Sequence, residues 1–504
     1  MLRVARRPQR RCGPTRQTEP TTSPRNRSAP DVSKVDSMNV LLISCRKLDW
    51  MQASKGTIPL PLLYLAAVLR AAGFTPTILD LSTRDHPAGT ANDEADLEVI
   101  RRYVSEHDPA MVGFNCFVSQ HFPFIAKAAT RIKGMSPSIH VTVGGSHPTL
   151  FAEEILQNCP DIDSVVVGEG EEQIVALARA IQKGRLSELE SVQALAYRFD
   201  GRVLVTPRLN YLADLDALPQ PAWDLIRLED YYSDHTGWHN PKNMNIQLSL
   251  PILTSRSCPF QCNFCACHKT MGRTFRMRSP AKVVDEIESL NREYGANYFG
   301  FIDDNINLDK RHVIEICNEI LARKLDIQFE PTCGLYLGQV DQEIANSLAR
   351  AGCVFARLPV EHGNDHMRNQ IIGKNLPREQ IFRAKRVLKD CGMRVSTMSI
   401  MGFPEETAAT LQDTYDLLIE LNADLNYVFN LIPFPGTRLF EQALSEGLLL
   451  GHFDTANLWR GEADLDPVQK EQQYYLKPRN MSFAEMDLFR EKFNSIRVMN
   501  PALK

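Results

Sequence analysis

The chain has 504 residues, room for two to four domains of ordinary size. With 43% apolar and 23% charged residues it has the composition of an average globular protein, which excludes collagen, coiled coil and wholesale disorder. No run of ~18 uninterrupted apolar residues is present to make a spanning helix, and a formal charge of −4 gives no global reason to expect a nucleic-acid partner.

Residues 1–37 stand apart. Eight Arg and one Lys face Glu19, Asp31 and Asp36 there, a local charge of +6, and five Pro are scattered among Ser and Thr. Such a segment cannot bury enough surface to offset its ordering entropy. An Arg-rich, acid-poor start has the composition of an organelle transit peptide, but the prolines spoil the amphipathic helix that one needs. We read it as a disordered tail, or as a non-native leader upstream of Met38, which directly precedes the first strand-like run.

From 38 to 184, short β-branched runs alternate with helical stretches. Strands are expected at Val40–Ile43, Thr77–Leu79, Met111–Phe114, His140–Val143 and Ser164–Val167, with helices such as Pro61–Ala72 and Phe122–Lys133 between them. This is the pattern of βαβ units, an α/β domain with a Rossmann-like, doubly wound parallel sheet. Ligands of such sheets sit beyond the carboxyl ends of the strands. Ser44, Asp80, Asn115, the loop Gly144-Gly-Ser-His-Pro-Thr149 and the loop Gly168-Glu-Gly-Glu171 fall there. Singly, Gly144 and Gly145 are explained as a turn, and Glu169 and Glu171 as complements to a helix N-terminus. Together they form a ligand rim.

Residues 185–244 are less regular and read as a packed inter-domain connector. A second alternating series fills 245–439. Its strands are expected at Ile246–Thr254, Tyr298–Ile302, Gln328–Cys333, Val354–Val360, Arg394–Met401 and Leu425–Ile432. Helices are expected at Pro280–Glu293, Lys310–Lys324, Asp341–Ala351, Arg378–Cys391 and Thr407–Leu421. Six βα units in one direction predict a partial (βα)6 barrel of TIM type, with its chemistry at the strand C-termini. Residues 440–504 form a helical C-terminal extension, and Ser482-Phe-Ala-Glu485 has the form of a capping box.

Twelve cysteines are ordinary for this length, and with neither a secretory signal nor a small disulfide framework a reducing cytoplasm is expected. Cys258, Cys262, Cys265 and Cys267 are the exception. Ser257-Cys258-Pro-Phe-Gln-Cys262-Asn-Phe-Cys265 directly follows the first strand of the second series, with the spacing C-x3-C-x2-C. Iron–sulfur clusters normally take four cysteines, so three on one tight loop leave an iron open to another ligand. The competing reading is structural zinc, closed by Cys267 or His268 as fourth ligand.

This loop, with Phe264 before its last cysteine and a βα barrel after it, resembles the radical S-adenosylmethionine (SAM) superfamily. The resemblance implies a [4Fe–4S] cluster on Cys258, Cys262 and Cys265, with SAM chelating the fourth iron. Phe301-Ile-Asp303-Asp304-Asn305 is similar to the second-strand end that places polar groups near the SAM methionine moiety. Val360-Glu361-His-Gly363 is similar to the fourth-strand Glu-Ser-Gly, with His362 in place of the small hydroxyl residue. Met401-Gly402-Phe-Pro404-Glu-Glu-Thr407 is similar to the fifth-strand segment near adenine, and Pro433-Phe-Pro-Gly-Thr437 to the end of strand six. The competing local reading makes the two Asp caps of the next helix, and Gly402 and Gly436 turns.

An α/β domain before such a barrel is similar to cobalamin-binding domains, which implies cobalamin contacts from Ser44, Asn115, Gly144, Gly145, Gly168 and Glu169. No Asp-x-His-x-x-Gly occurs, since Asp85 and His86 are adjacent, so cobalamin without a His below cobalt is implied. The whole resembles the cobalamin-dependent radical SAM methyltransferases. For that class one SAM yields a 5′-deoxyadenosyl radical, and a second remethylates the cobalamin that methylates an unactivated carbon or phosphorus. Implied partners are a small-molecule substrate, leaning to a phosphonate natural-product intermediate, and an electron donor such as flavodoxin or ferredoxin. Neither nucleic acid nor membrane is expected. Ring closure or rearrangement by a non-methylating relative stays open, as does a zinc or cobalamin carrier. Arg256, Lys269, Arg273, Arg276 and Arg278 surround the cysteine loop, as an anion site or a solvated face. His268, His362 and His366 read as structural and Cys267 as packing.

Overall fold

The computed structural model describes residues 37–46, 58–84, 93–231, 245–246, 248–450, 455–461 and 474–500. The expected leader before Ser37, the Asp85–His86 pair and the polar stretch 232–243 lie outside the described residues. Met38–Lys504 is one compact unit.

The first sheet begins with β1 (Asn39–Ser44), β2 (Thr75–Asp80), β3 (Met111–Asn115), β4 (His140–Gly144) and β5 (Ser164–Val166), all parallel to their neighbours. These strands are apolar on both faces because helices cover both sides of the sheet. Val40, Leu41, Leu42 and Ile43 are each no more than 1% exposed. Helix α1 (Leu60–Ala71) carries Pro61 in its first turn, where no N–H is missed. Helix α6 (Glu171–Lys183) ends on Gly184 in the left-handed conformation that a helix C-terminus favours.

The connector is more regular than expected. Leu195–Phe199 (β6) and Arg202–Thr206 (β7) form a hairpin that pairs antiparallel with β5, giving the seven-stranded order β2-β1-β3-β4-β5-β6-β7. Its turn residues Asp200 and Gly201 both have positive φ (49° and 71°), the two-residue geometry that suits the right-handed twist of the flanking strands.

The second half is the partial barrel. β8 (Ser249–Ile252), β11 (Tyr298–Phe301) and β12 (Gln328–Pro331) form one parallel sheet; β13 (Phe355–Glu361), β14 (Arg394–Met401) and β15 (Leu425–Asn430) form another. A parallel bridge, Phe329 to Cys353, joins the two. β8 and β15 are the edges of these sheets, so among the described residues the barrel is open between its first and last strands. Helices α8 (Pro280–Tyr294), α9 (Lys310–Ala322), α10 (Gln342–Ala351), α11 (Arg378–Asp390) and α12 (Ala408–Leu421) supply the return connections. The extension contains α13 (Arg438–Ser445) and the helix Phe483–Ser495, whose capping box between Ser482 and Glu485 forms as the sequence predicts.

Candidate active site

Two short strands bracket the cysteine loop. β9 (Ser255–Arg256) and β10 (Arg276–Met277) pair antiparallel, so residues 257–275 leave and return at one point. Ser257 takes φ of 77°, fully buried, and its Oγ donates to the carbonyl of Gly272 at 2.7 Å. A non-glycine residue there costs backbone energy that the closed base of the loop must hold.

The loop is fastened from three sides. Asn263 N donates to Ile372 O (2.9 Å), Leu439 N donates to Asn263 O (3.1 Å), and the guanidiniums of Arg273 and Arg438 donate to the carbonyls of Phe260 (3.2 Å) and Gln261 (2.5 Å). The Phe264 ring meets Phe403 at 6.2 Å between centroids. Burial, the largest cause, raises the pKa of all three loop thiols and pushes Cys262 up to about 11, and neighbouring thiols add to the rise at Cys262 and Cys265. Asn305 beside the Cys258 thiol favours its ionised form, whereas burial and, after it, the Asp304 carboxylate raise the pKa of Cys267.

No three His, Cys, Asp or Glu side chains among the described residues converge tightly enough to hold a single ion. The three loop thiols, near one another but not converging on one point, fit a multi-iron group better than a lone zinc, which needs four donors within bonding distance of one centre.

Several residues expected at the rim belong to the frame. Asp303 is 1% exposed, and its Oδ1 accepts from Thr254 N (2.9 Å), Thr254 Oγ1 (2.8 Å), Ser255 Oγ (2.7 Å) and Ser255 N. Through Oδ1 it braces the step from β8 to β9, while its Oδ2 has no hydrogen-bond partner. Glu169 is likewise corrected: its carboxylate, 3% exposed, bonds Arg276 at 2.7 and 2.8 Å and lies 3.4 Å from Arg256. Glu171 meets Arg256 at 2.5 Å. Burial alone would raise the pKa of Glu171, but the Arg256 guanidinium outweighs it and holds the carboxyl below its usual value. The expected anion site of Arg256, Arg276 and Arg278 is therefore spent internally, Arg278 on Glu286 at 2.6 Å. These buried pairs join the first sheet's domain to the base of the cysteine loop.

Other expected residues do stand at the strand ends. Glu361 has φ of 63° beside a bulge in β13, is 7% exposed, and bonds Lys374 at 2.8 Å. Gly402 has φ of 108°, and its N–H donates to Glu406 at 2.8 Å; Pro404 O accepts from Arg479 N at 3.2 Å. His362 is fully buried, its Nδ1 accepting from Asn364 N at 3.1 Å and its Nε2 3.4 Å from Glu406, as a structural residue would be. Sequence reasoning missed Asn305 and Lys374. Asn305 ends the quoted Asp-Asp-Asn run, but Lys374 is sixteen or fewer residues from no cysteine and had no local signal.

At the first sheet, Ser44, Asn115 and Gly144 occupy one register row on three adjacent strands, at the point where chain order reverses. Gly145 needs its φ of 105°, because a Cβ would stand 2.6 Å from Cys116 O. Gly168 N donates to Thr149 Oγ1 at 2.8 Å, tying the two glycine loops together. Beside this row Phe117 is 69% exposed, an apolar ring at the crevice that a large ligand would cover. His147 is unavailable to a metal here: its ring faces Ser119 Oγ (3.0 Å) and Trp459 O (2.8 Å), and burial lowers its pKa to about 4.

A parallel-sheet domain with a ligand crevice, followed by a partial barrel carrying three cysteines at its first strand end, defines a two-cofactor radical enzyme. Residues 53–178 match the B12 binding domain family and residues 252–418 the Radical SAM superfamily. The chain is 30% identical over 414 residues to an uncharacterized methyltransferase of Pyrococcus horikoshii, covering 82% of this chain and 83% of that protein. It is 30% identical to the anaerobic magnesium-protoporphyrin IX monomethyl ester cyclase of Rubrivivax gelatinosus (75% of this chain, 65% of that protein). It is 25% identical to the cytidylyl-2-hydroxyethylphosphonate methyltransferase of Streptomyces wedmorensis (81% and 84%). In fold it is similar to the radical SAM methyltransferase TsrM of Kitasatospora setae, solved with cobalamin and a [4Fe–4S] cluster: TM-score 0.71, 19% identity, 92% of this chain and 90% of that one. The chain belongs to the cobalamin-dependent radical SAM methyltransferase family, whose cofactors are a [4Fe–4S] cluster, SAM and cobalamin.

Proposed function

We propose that this enzyme transfers a methyl group from SAM, by way of cobalamin, to an unactivated carbon or phosphorus of a small-molecule natural-product intermediate. The observation that carries this reading is the pairing of two sites in one compact unit: the row Ser44, Asn115 and Gly144, and the loop of Cys258, Cys262 and Cys265. When bound, the cofactors supply radical methyl transfer, which a carbon without an acidic proton requires. The chain's own task is to hold and orient them and to keep water out.

Cys258, Cys262 and Cys265 would hold the cluster, with Asn305 beside the Cys258 sulfur. Phe264, Asp304, Glu361, Gly402 and Pro404 stand where SAM would lie, and Asp303 fixes the turn behind them. Gly145 and Gly168 would permit close backbone approach of cobalamin at the crevice, while His147 in the loop after β4 is engaged by Ser119 and Trp459. The buried pairs of Glu169 and Glu171 with Arg256 and Arg276 keep the two sites in register. An electron carrier of the flavodoxin or ferredoxin kind would reduce the cluster. The likeness to a cytidylyl-2-hydroxyethylphosphonate methyltransferase supports a phosphonate as substrate.

The likeness to a cyclase of the same layout supports a second reading, ring closure without methyl transfer. SAM carrying a labelled methyl group separates them. With a nucleotide-bearing phosphonate as acceptor, a product heavier by 14 mass units plus the mass of the label is expected for the methylase. A product lighter by lost hydrogens, with the label left behind, would favour the cyclase.

A further inference from the structure

The cations around the cysteine loop are of two kinds. Arg256, Arg276 and Arg278 are buried and paired with Glu169, Glu171 and Glu286. Lys269 and Arg273 are exposed, and Arg438 joins them from the start of α13. Arg273 donates to Phe260 O at 3.2 Å and Arg438 to Gln261 O at 2.5 Å, so two guanidiniums sit on adjacent carbonyls between Cys258 and Cys262. A Cβ on Gly436, two residues before Arg438, would stand 3.0 Å from Lys269 Cε. Among the described residues none of the three meets a carboxylate at ion-pair distance. Residues 38–504 carry a formal charge of −10, because the first 37 hold +6 of a chain at −4. Three unpaired cations gathered at one loop of an acidic body repel one another, a cost that an anionic partner would relieve. Pro259 and Gln261 are exposed in the same loop as the half-buried Cys258 and Cys262, so a protein docked here meets that loop directly.

We propose that Lys269, Arg273 and Arg438 form the docking face for an acidic one-electron carrier protein of the flavodoxin kind. The inference rests on the cluster reading above and names the surface through which that cluster is supplied. Each electron spent on SAM must come from outside the chain: the carrier is oxidised by one electron as the cluster is reduced by one. Complementary charge at the rim of such a face speeds encounter and fixes register. Phe434, 47% exposed on the loop that leads into Arg438, adds an apolar contact. A purely structural role would account for two guanidiniums on loop carbonyls. It would not account for Lys269, whose ammonium makes no hydrogen bond among the described residues.

The test uses the reconstituted full chain, its iron content measured first, and an oxidised, acidic FMN flavodoxin as the probe. Binding titrations at ~50 and ~300 mM NaCl are expected to show affinity falling about tenfold or more with salt. Arg273→Glu and Arg438→Glu are each expected to weaken binding about tenfold at the lower salt. Arg386→Glu, the same change of charge at an exposed position of α11, should leave it near native. Arg273→Lys and Arg438→Lys should keep most of it. The rate of cluster reduction by reduced flavodoxin, divided by the rate with dithionite for the same variant, should fall in parallel with binding. Equal losses in the Glu and Lys variants would mean only a disturbed loop and would overturn the proposal, as would an equal loss in Arg386→Glu. So would a native chain that holds iron and is reduced by dithionite yet does not bind flavodoxin. Displacement of flavodoxin by a nucleotide-bearing phosphonate would assign the cations to substrate and overturn it too. If either Glu variant fails to hold iron, Lys269→Glu, which removes no bond from the loop, decides on the same readings. A native chain that holds no iron would fail the cluster reading instead, before any flavodoxin is added.

Discussion

The two halves of the molecule line their candidate sites with different kinds of atoms. At the first sheet's edge the row of Ser44, Asn115 and Gly144 offers short side chains and backbone, loosened by Gly145 and Gly168. At the barrel's edge charged side chains crowd the cysteine loop, yet Glu169, Glu171, Arg256, Arg276 and Asp303 are all buried and bonded to the protein itself. A charge taken from water must be paired, and a partner inside the chain is always present whereas a ligand is not. Strand-end position thus locates a crevice, while burial separates residues that face it from residues that build it.

The sharpest way to break this contrast is to unpair a frame charge. Arg276→Met leaves the buried Glu169 carboxylate with Leu212 N at 3.3 Å and Arg256 at 3.4 Å, and is expected to cost ~3–5 kcal/mol in urea unfolding. Arg70→Ala removes the exposed pair with Asp224, its side chains 45% and 59% exposed, and is expected to cost under ~1 kcal/mol. Equal losses would mean that Glu169 is not the strut described. A smaller effect belongs to the crevice. Gly145→Ala meets both a positive φ and the Cys116 carbonyl, an expected loss of about 1–3 kcal/mol. Gly144→Ala finds only ordinary contact, 3.6 Å from Val166, so its stability should stay near native while cobalt retained after desalting falls.

Much of the fold was legible. β14 coincides with its expected span, and α8 and α12 differ from theirs by one residue at one end, because long apolar periodicities with caps leave little choice. The hairpin β6–β7 was missed although its signal was present: Asp200-Gly201 between alternating runs is a two-residue turn signature. The cysteine triad was legible because its donors are local in sequence. Asn305 and Lys374 were not singled out, and the pairing of Glu169 with Arg276 spans 107 positions, a tertiary fact that no local pattern carries.

A further expected effect is a pH dependence. His147 is 2% exposed, and burial lowers its pKa from 6.5 to about 4. The unfolded chain therefore binds the extra proton first: this contribution is complete above about pH 6.5 and is lost as pH falls toward 4, on the order of 3 kcal/mol. His147→Gln should flatten the slope of melting temperature against pH in that window. An unchanged slope would assign it to the other buried histidines, His121 and His140.

The central claim is that one chain holds two metal cofactors at these two edges. Anaerobic reconstitution with iron, sulfide and hydroxocobalamin, followed by desalting and metal analysis, tests it most directly. About four irons and one cobalt per chain are expected, with iron lost and cobalt kept in Cys258→Ala. Zinc on the cysteine loop, with neither iron nor cobalt retained, would contradict it.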